Sequence, residues 1–267
     1  MNRMDRALHE FAEMDELAAR SSFIHGLHPA AKLIATVAYI LVTLSFDKYD
    51  IGGLIPMLLW PVILFQLSGI DVHACFHKLR FVLPLVMAVG LFNPFFDRTI
   101  ALRLGDIAVS GGMISMLTLM LKGVFCLMAS FLLMATTRID SLCAALRGLR
   151  VPKLLVTLLL LTYRYVGVMT EELAIMTDAY RLRAPGQKGI HISAWGSFLG
   201  QLLLRSMDRA QELYSSMLLR GYVQEFDYAR KDPLRTKDVV YLLLCIALCL
   251  SFRLVNVAQF LGQMVTG

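Results

Sequence analysis

Two arginines stand where helices should stop. The first lies in Arg181-Leu182-Arg183-Ala184-Pro185-Gly186 and the second in Leu218-Leu219-Arg220-Gly221-Tyr222. Proline has no N–H to donate and clashes with the preceding turn, and glycine takes the left-handed backbone that closes a helix. Each stretch therefore predicts a helix C-terminus with a guanidinium at its tip. Two chemistries fit. An arginine there complements the partial negative charge of the helix end. A guanidinium at a tip also presents five donors in a fixed fork, suited to carboxylates and carbonyls on a partner protein. One such end reads as a cap. Two, close together, read equally well as two plugs for two equivalent sockets.

Long amphipathic helices must carry these tips. Leu154, Leu158, Leu161, Tyr165, Val168, Ile175, Ala179 and Leu182 are spaced by alternating fours and threes, with Glu172 the polar member of the stripe. That spacing is one face of a long helix. From about Ser193 a second stripe follows, made of Leu199, Leu203, Ser206, Ala210, Leu213 and Met217, with Gln201, Arg205, Asp208, Arg209 and Glu212 toward the other side. The two helices are expected to cross and bury these stripes together, with Ser206 and Ala210 permitting close approach. A shorter amphipathic helix precedes them. Ile139, Leu142, Cys143, Leu146 and Leu149 share one side, Arg147 and Arg150 flank it, and Pro152 ends it. It could lie along a membrane surface.

The rest of the chain is apolar enough to cross a bilayer. Hydrophobic residues make up 57% of the 267 residues and charged ones 17%, against about 45–50% and about 25% in soluble domains. Five spans are read: Pro29 to Phe46, Ile51 to Leu67, Phe81 to Phe96 (with Pro84 and Pro94), Met113 to Ala135, and Val239 to about Leu261. The first thirty residues mix acids and bases without an apolar core, so no signal peptide is read there. The fold class is all-α: a polytopic membrane protein with about five transmembrane helices and a cytosolic pair of long helices. The domains expected are an N-terminal arm (1–28), four spans (29–135), a cytosolic region (136–237) and a last span with the C-terminus (238–267).

Charge sets the orientation. Residues 136–237 hold fifteen Lys/Arg against nine Asp/Glu, which accounts for the whole net charge of +6. Lys and Arg accumulate on the cytoplasmic side, so this excess points to the inner membrane face rather than to nucleic acid. The N-terminus is accordingly expected in the cytoplasm, in a multi-pass protein of the cell membrane. Leu154 to Met169 is apolar, but its continuous run ends at Tyr163-Arg164-Tyr165. It is read as a cytosolic or interfacial helix, because crossing would export ten Lys/Arg between Arg181 and Lys237. Between Asp97 and Gly112, the alternation of Ile100, Leu102, Leu104 and then Ile107 and Val109 fits either a small hairpin or an irregular loop.

Several motifs together resemble a known family. Ser22 with Leu27-His28-Pro29-Ala30-Ala31-Lys32-Leu33, Val151-Pro152-Lys153, Thr162-Tyr163-Arg164-Tyr165 with Glu171-Glu172, and Arg205-Ser206-Met207-Asp208-Arg209-Ala210 leading to Ser216–Tyr222 look like the T component of energy-coupling factor (ECF) transporters, cobalt/nickel type. The resemblance covers essentially the whole chain. It implies two coupling helices whose terminal Ala-Arg-Gly-like motifs each engage one ATP-binding ATPase subunit. By position these are Leu182, Arg183 and Ala184, then Leu219, Arg220 and Gly221, with leucine standing for the first alanine in both and Ala184 for a glycine. It implies as further partners a metal-binding substrate (S) subunit and the lipid bilayer, and a cargo of cobalt or nickel ions. A T subunit serving a vitamin-type substrate subunit, or a self-sufficient ABC-type permease, are the alternatives.

Other residues give less. His73 and His77 share a helical face but lack a third ligand, so no metal site is read there. Lys122 and Arg253 lie inside spans and are expected to snorkel to the interface. The five cysteines read as buried filler. The spans contain no Asp, Glu or His in their interiors, and the chain has no phosphate-binding glycine loop. Neither an enzyme nor a cofactor is expected.

Overall fold

Helix α1, Pro29–Leu44, starts on a proline whose missing N–H is no loss in the first turn. His28 caps it, with Nδ1 accepting from Ala30 N at 3.2 Å. The computed structural model describes residues 16–20, 22–80, 82–96, 100–104, 107–187, 189–222 and 234–254. After α1 come α2 (Ile51–Ser68), α3 (Val72–Leu79), α4 (Leu83–Phe96), strands β1 (Ile100–Leu104) and β2 (Ile107–Ser110), α5 (Gly111–Thr136), α6 (Ile139–Gly148), α7 (Lys153–Arg183), α8 (Trp195–Leu219) and α9 (Thr236–Leu254). The fold is helical apart from one antiparallel hairpin, in which Leu104 pairs with Ile107 and Ile100 with Ser110. The alternation between Asp97 and Gly112 is thus a hairpin rather than an irregular loop.

The chain divides into two compact units. One contains α1–α5 and α9, within Met14–Arg138 and Lys231–Gly267, and the other contains α6–α8, within Ile139–Arg230.

Three described helices are long and apolar enough to cross a membrane: Ile51–Ser68, Gly111–Thr136 and Lys153–Arg183, while Pro29–Leu44 is a shorter apolar helix. The expected second and fourth spans are among them. The long helix expected from the stripe Leu154 to Leu182 is α7, which runs through Tyr163-Arg164-Tyr165 to Arg183. Helix α4 is 14 residues long, and the expected end of the last span lies outside the described residues.

In the bundle unit, α1 is held at both ends by α5 and α9. At its start, His28 N donates to Asp238 Oδ1 at 2.8 Å, and Asp238 Oδ2 accepts from Arg235 N at 2.8 Å. Lys32, 4% exposed, donates from Nζ to Thr136 O, the last residue of α5, at 2.7 Å. The ammonium meets the negative end of α5 and also feels the carboxylate of Asp238, which is 3% exposed. At the other end of α1, Lys122 Nζ donates to the carbonyls of Leu44 and Phe46, and Arg253 donates to Ser45 O at 3.2 Å while lying over the Phe46 ring. Lys122 and Arg253 therefore do not simply snorkel. They cap the orphan carbonyls at the end of α1. This pattern also fixes directions: α5 runs antiparallel to α1, and α9 runs parallel to it.

Packing explains the rest of this unit. Pro61 has no N–H for the carbonyl of Met57, and that carbonyl instead accepts the buried Tyr39 hydroxyl at 3.0 Å. The backbone narrows to a 3-10 turn over Ile55–Leu58, and Tyr39 stacks on Trp60 with centroids 4.3 Å apart. Cys75, Cys143, Cys245 and Cys249 are buried, and all five thiols are free. Helices α4 and α5 approach closely through glycines. A Cβ added to Gly123 would lie 2.6 Å from Val86 Cγ1, and one at Gly90 would lie 3.3 Å from Met116. Gly123→Leu is expected to lower the thermal midpoint in detergent, at a cost of about 1–3 kcal/mol for forced overpacking. Lys32→Met should likewise cost about 1–3 kcal/mol, because it leaves the buried carbonyl of Thr136 without its donor. Thermal melts monitored by helical circular dichroism would check both.

Candidate docking site

Helix α8 ends as glycine dictates. Gly221 has φ +77°, Gly221 N donates to Leu218 O at 3.0 Å, and Tyr222 N reaches back to Met217 O at 3.0 Å. These two bonds are the paired closing bonds of a Schellman end, and they place Arg220 at the cap. The side chain of Arg220 is exposed, and Leu219 beside it is 89% exposed.

Helix α7 ends differently. Ala184 leaves the helix with φ −127° and ψ 67°, its N–H bonded to Tyr180 O at 3.0 Å, and Gly186 turns the chain with φ +91°. The Tyr180 hydroxyl ties the turn down, donating to Gln187 Oε1 at 3.0 Å and accepting from His191 N at 3.3 Å. Arg183 is exposed at this tip, and Leu182 next to it is 85% exposed. Among the described residues neither Arg183 nor Arg220 has an ion-pair partner, whereas Arg181 lies 3.5 Å from Asp178. Simple capping would leave the neighbouring leucines indifferent to exposure. Here each tip offers a leucine and an arginine together, an apolar anchor beside a fork of donors.

Glu172 on α7 and Arg205 on α8 form an ion pair, so the polar member of the α7 stripe links the two helices beside Ser206. The stripes do not bury one another as expected: Leu154 is 67% exposed and Leu203 61%. Between Lys153–Met169 of α7 and Ser206–Leu218 of α8 lies an open cavity of about 1110 Å³. Helix α6 closes with Arg150 in the left-handed region (φ 66°), Arg150 N bonded to Arg147 O and Val151 N to Leu146 O, before Pro152 starts α7.

The other motif residues are structural. His28, Pro29 and Lys32 start α1 and tie it to α5 and α9. Ser22 donates from Oγ to His25 Nδ1 at 2.7 Å, and His25 Nε2 meets Leu17 O at 3.0 Å. Burial lowers the His25 pKa, with the nearby Lys32 charge adding to the effect. Among the described residues no three His, Cys, Asp or Glu cluster as a metal site. His73 is exposed, and the side chain of His77 lies outside the described residues. Asp238 escaped sequence reasoning because it precedes the apolar run. Its position in the first turn of α9 is the signal that marks it, since carboxylates favour helix starts.

A bundle of apolar helices carrying an amphipathic helix pair defines a polytopic membrane protein. The chain belongs to the CbiQ family, whose model, described as cobalt transport protein, matches residues 20–229. It is similar to the cobalt transport protein CbiQ of Rhodobacter capsulatus, 34% identical over 115 residues, which are 42% of this chain and 46% of that one. It also resembles the nickel permease LarQ of Lactiplantibacillus plantarum, 31% identical over 109 residues, 41% of this chain and 39% of that one. An uncharacterized protein of Methanocaldococcus jannaschii is 26% identical over 138 residues, 51% and 47% of the two chains. The matched stretch spans less than half the length of each of these relatives.

Gly221→Ala tests the built tip. No atom lies within 4 Å of the Cβ it would add, so its cost is the backbone's alone, about 1–2 kcal/mol for a left-handed residue with a side chain. The expected readout is faster amide exchange confined to the last turn of α8.

Proposed function

We propose that this chain is the transmembrane scaffold (T) subunit of an ECF-type ABC importer for cobalt or nickel ions, and not an enzyme. Arg183 and Arg220 would each dock on one of two ATPase subunits, Leu182 and Leu219 would add the apolar part of the contact, and Ala184 and Gly221 would set the tips. ATP binding and hydrolysis would move α7 and α8, and the bundle would pass that motion to a separate metal-binding S subunit. The observation that carries this reading is the doubling: two helix ends, each with an exposed arginine that has no ion-pair partner among the described residues, beside an almost fully exposed leucine. Membership of a family described as cobalt transport protein supports the class of cargo.

The directions of the helices bear on the topology. The end of α5 and the start of α9 both meet the start of α1, through Lys32–Thr136 and His28–Asp238. The chain between them leaves from the end of α5 and returns at the start of α9, both beside the start of α1. Helix α7 has the length and composition to cross, but no other described helix in its unit does. In this reading α7 stays at or below the interface, with residues 136–237 and the N-terminus in the cytosol, because a crossing would export the lysines and arginines that favour the inner face.

The Arg183→Glu/Arg220→Glu double variant is expected to lose co-purification with tagged ATPase subunits and uptake of radioactive cobalt or nickel. Each exposed anchor arginine should contribute about 2 kcal/mol or more to docking. Arg181→Glu, at a residue already facing Asp178, should change neither. Retained assembly and uptake in the double variant would sink the docking assignment.

A further inference from the structure

Helix α6 begins where a helix long enough to span ends. Helix α5 has 26 residues, about 39 Å at 1.5 Å per residue, enough to cross a hydrocarbon core of about 30 Å. It stops at Thr136 and α6 starts at Ile139, so α6 sets out from headgroup level. From Arg138 to Leu161 the chain carries Arg138, Arg147, Arg150 and Lys153 against one carboxylate, Asp140. A basic cluster of this size beside a membrane span attracts anionic lipid.

The turn between α6 and α7 concentrates that charge. Arg147, Arg150 and Lys153 follow one another at intervals of three, and Arg150 and Lys153 are exposed. Arg150 closes α6 with the same paired hydrogen bonds that close α8, in the position that Gly221 takes there. A side chain on this left-handed backbone costs free energy that glycine avoids. Among the described residues Arg150 is the one non-glycine to adopt it. The end of α6 does not need it as a counter-charge, because Arg147 already stands in the last turn. The Arg150 guanidinium has no ion-pair partner among the described residues. Exposed leucines flank the charges: Leu149 precedes Arg150, and Leu154 and Leu155 follow Lys153. A membrane interface takes both, the leucine in the acyl boundary and the cation among the phosphates.

We infer that the α6–α7 turn is a binding site for the headgroups of anionic phospholipids. Arg147, Arg150 and Lys153 receive the phosphate, Arg150 through a fork that can bind two of its oxygens, and Leu149, Leu154 and Leu155 enter the acyl boundary. The bound lipid holds the root of α7 at the membrane surface, at the opposite end of that helix from Arg183. The site depends on α5 crossing the bilayer, and not on the ATPase or cargo assignment.

The test titrates the purified full chain in detergent with phosphatidylglycerol or phosphatidylcholine and counts the retained lipids by native mass spectrometry. Phosphatidylglycerol should be retained over phosphatidylcholine, and each basic side chain removed from the site should weaken it about fivefold. Arg150→Gly separates binding from folding. Glycine suits the left-handed turn, so this variant should lose lipid while its thermal midpoint holds or rises. Arg150→Lys keeps the charge and should retain more lipid than Arg150→Gly. The Arg183→Glu/Arg220→Glu variant should leave lipid retention unchanged, so a failed ATPase assignment and a failed lipid assignment give different results. Equal retention of the two lipids would overturn the proposal, as would undiminished phosphatidylglycerol on Arg150→Gly/Lys153→Gln. Unchanged lipid in that variant with lost co-purification of ATPase subunits would make the turn a protein contact instead.

Discussion

A helix leaves its last carbonyls and first amides without partners of its own, and α1 meets this constraint with borrowed charges. Lys122 and Arg253 donate to its final carbonyls, Asp238 accepts from its cap, and its own Lys32 serves the end of α5. A buried ion pair is weak evidence for stability by itself, because desolvation offsets much of the attraction. What these contacts supply is specificity. Each joins a particular residue on one helix to the terminus of another, so sliding by one turn would break several at once. The rest of the bundle, from the Tyr39–Trp60 stack to the glycine contacts of α4 with α5, packs around that alignment.

Much of this was legible in the sequence, for physical reasons. Pro29 and Gly221 are strong punctuation, so the start of α1 and the end of α8 were readable within a residue. The apolar runs gave the bundle helices, and alternation gave the hairpin. Partners of isolated charges were not legible. Lys122 and Arg253 looked like ordinary snorkelling residues, because nothing local shows that the end of another helix lies beside them. The stripes of α7 and α8 were read correctly as faces but assigned to each other. Periodicity tells which side of a helix is apolar and says nothing about what covers it. The Glu172–Arg205 ion pair links the two helices, and Glu172 stood in the sequence as the odd polar member of its stripe.

The two tips reach similar chemistry by different backbones. Arg220 sits on a glycine-closed end with both closing hydrogen bonds made. Arg183 precedes an alanine, and its turn is braced instead by the Tyr180 hydroxyl. One tip is closed by main-chain geometry and the other is braced by a side chain, so similar arginines stand on backbones held in unlike ways.

The bond from Tyr39 to the Met57 carbonyl has a consequence for how the protein is made. Pro61 leaves that carbonyl without a donor on its own helix, and α2 cannot expose it to lipid cheaply. The donor sits on α1, only a short connector earlier in the chain. The two helices are therefore best released from the translocon as a pair, hydroxyl already matched to carbonyl.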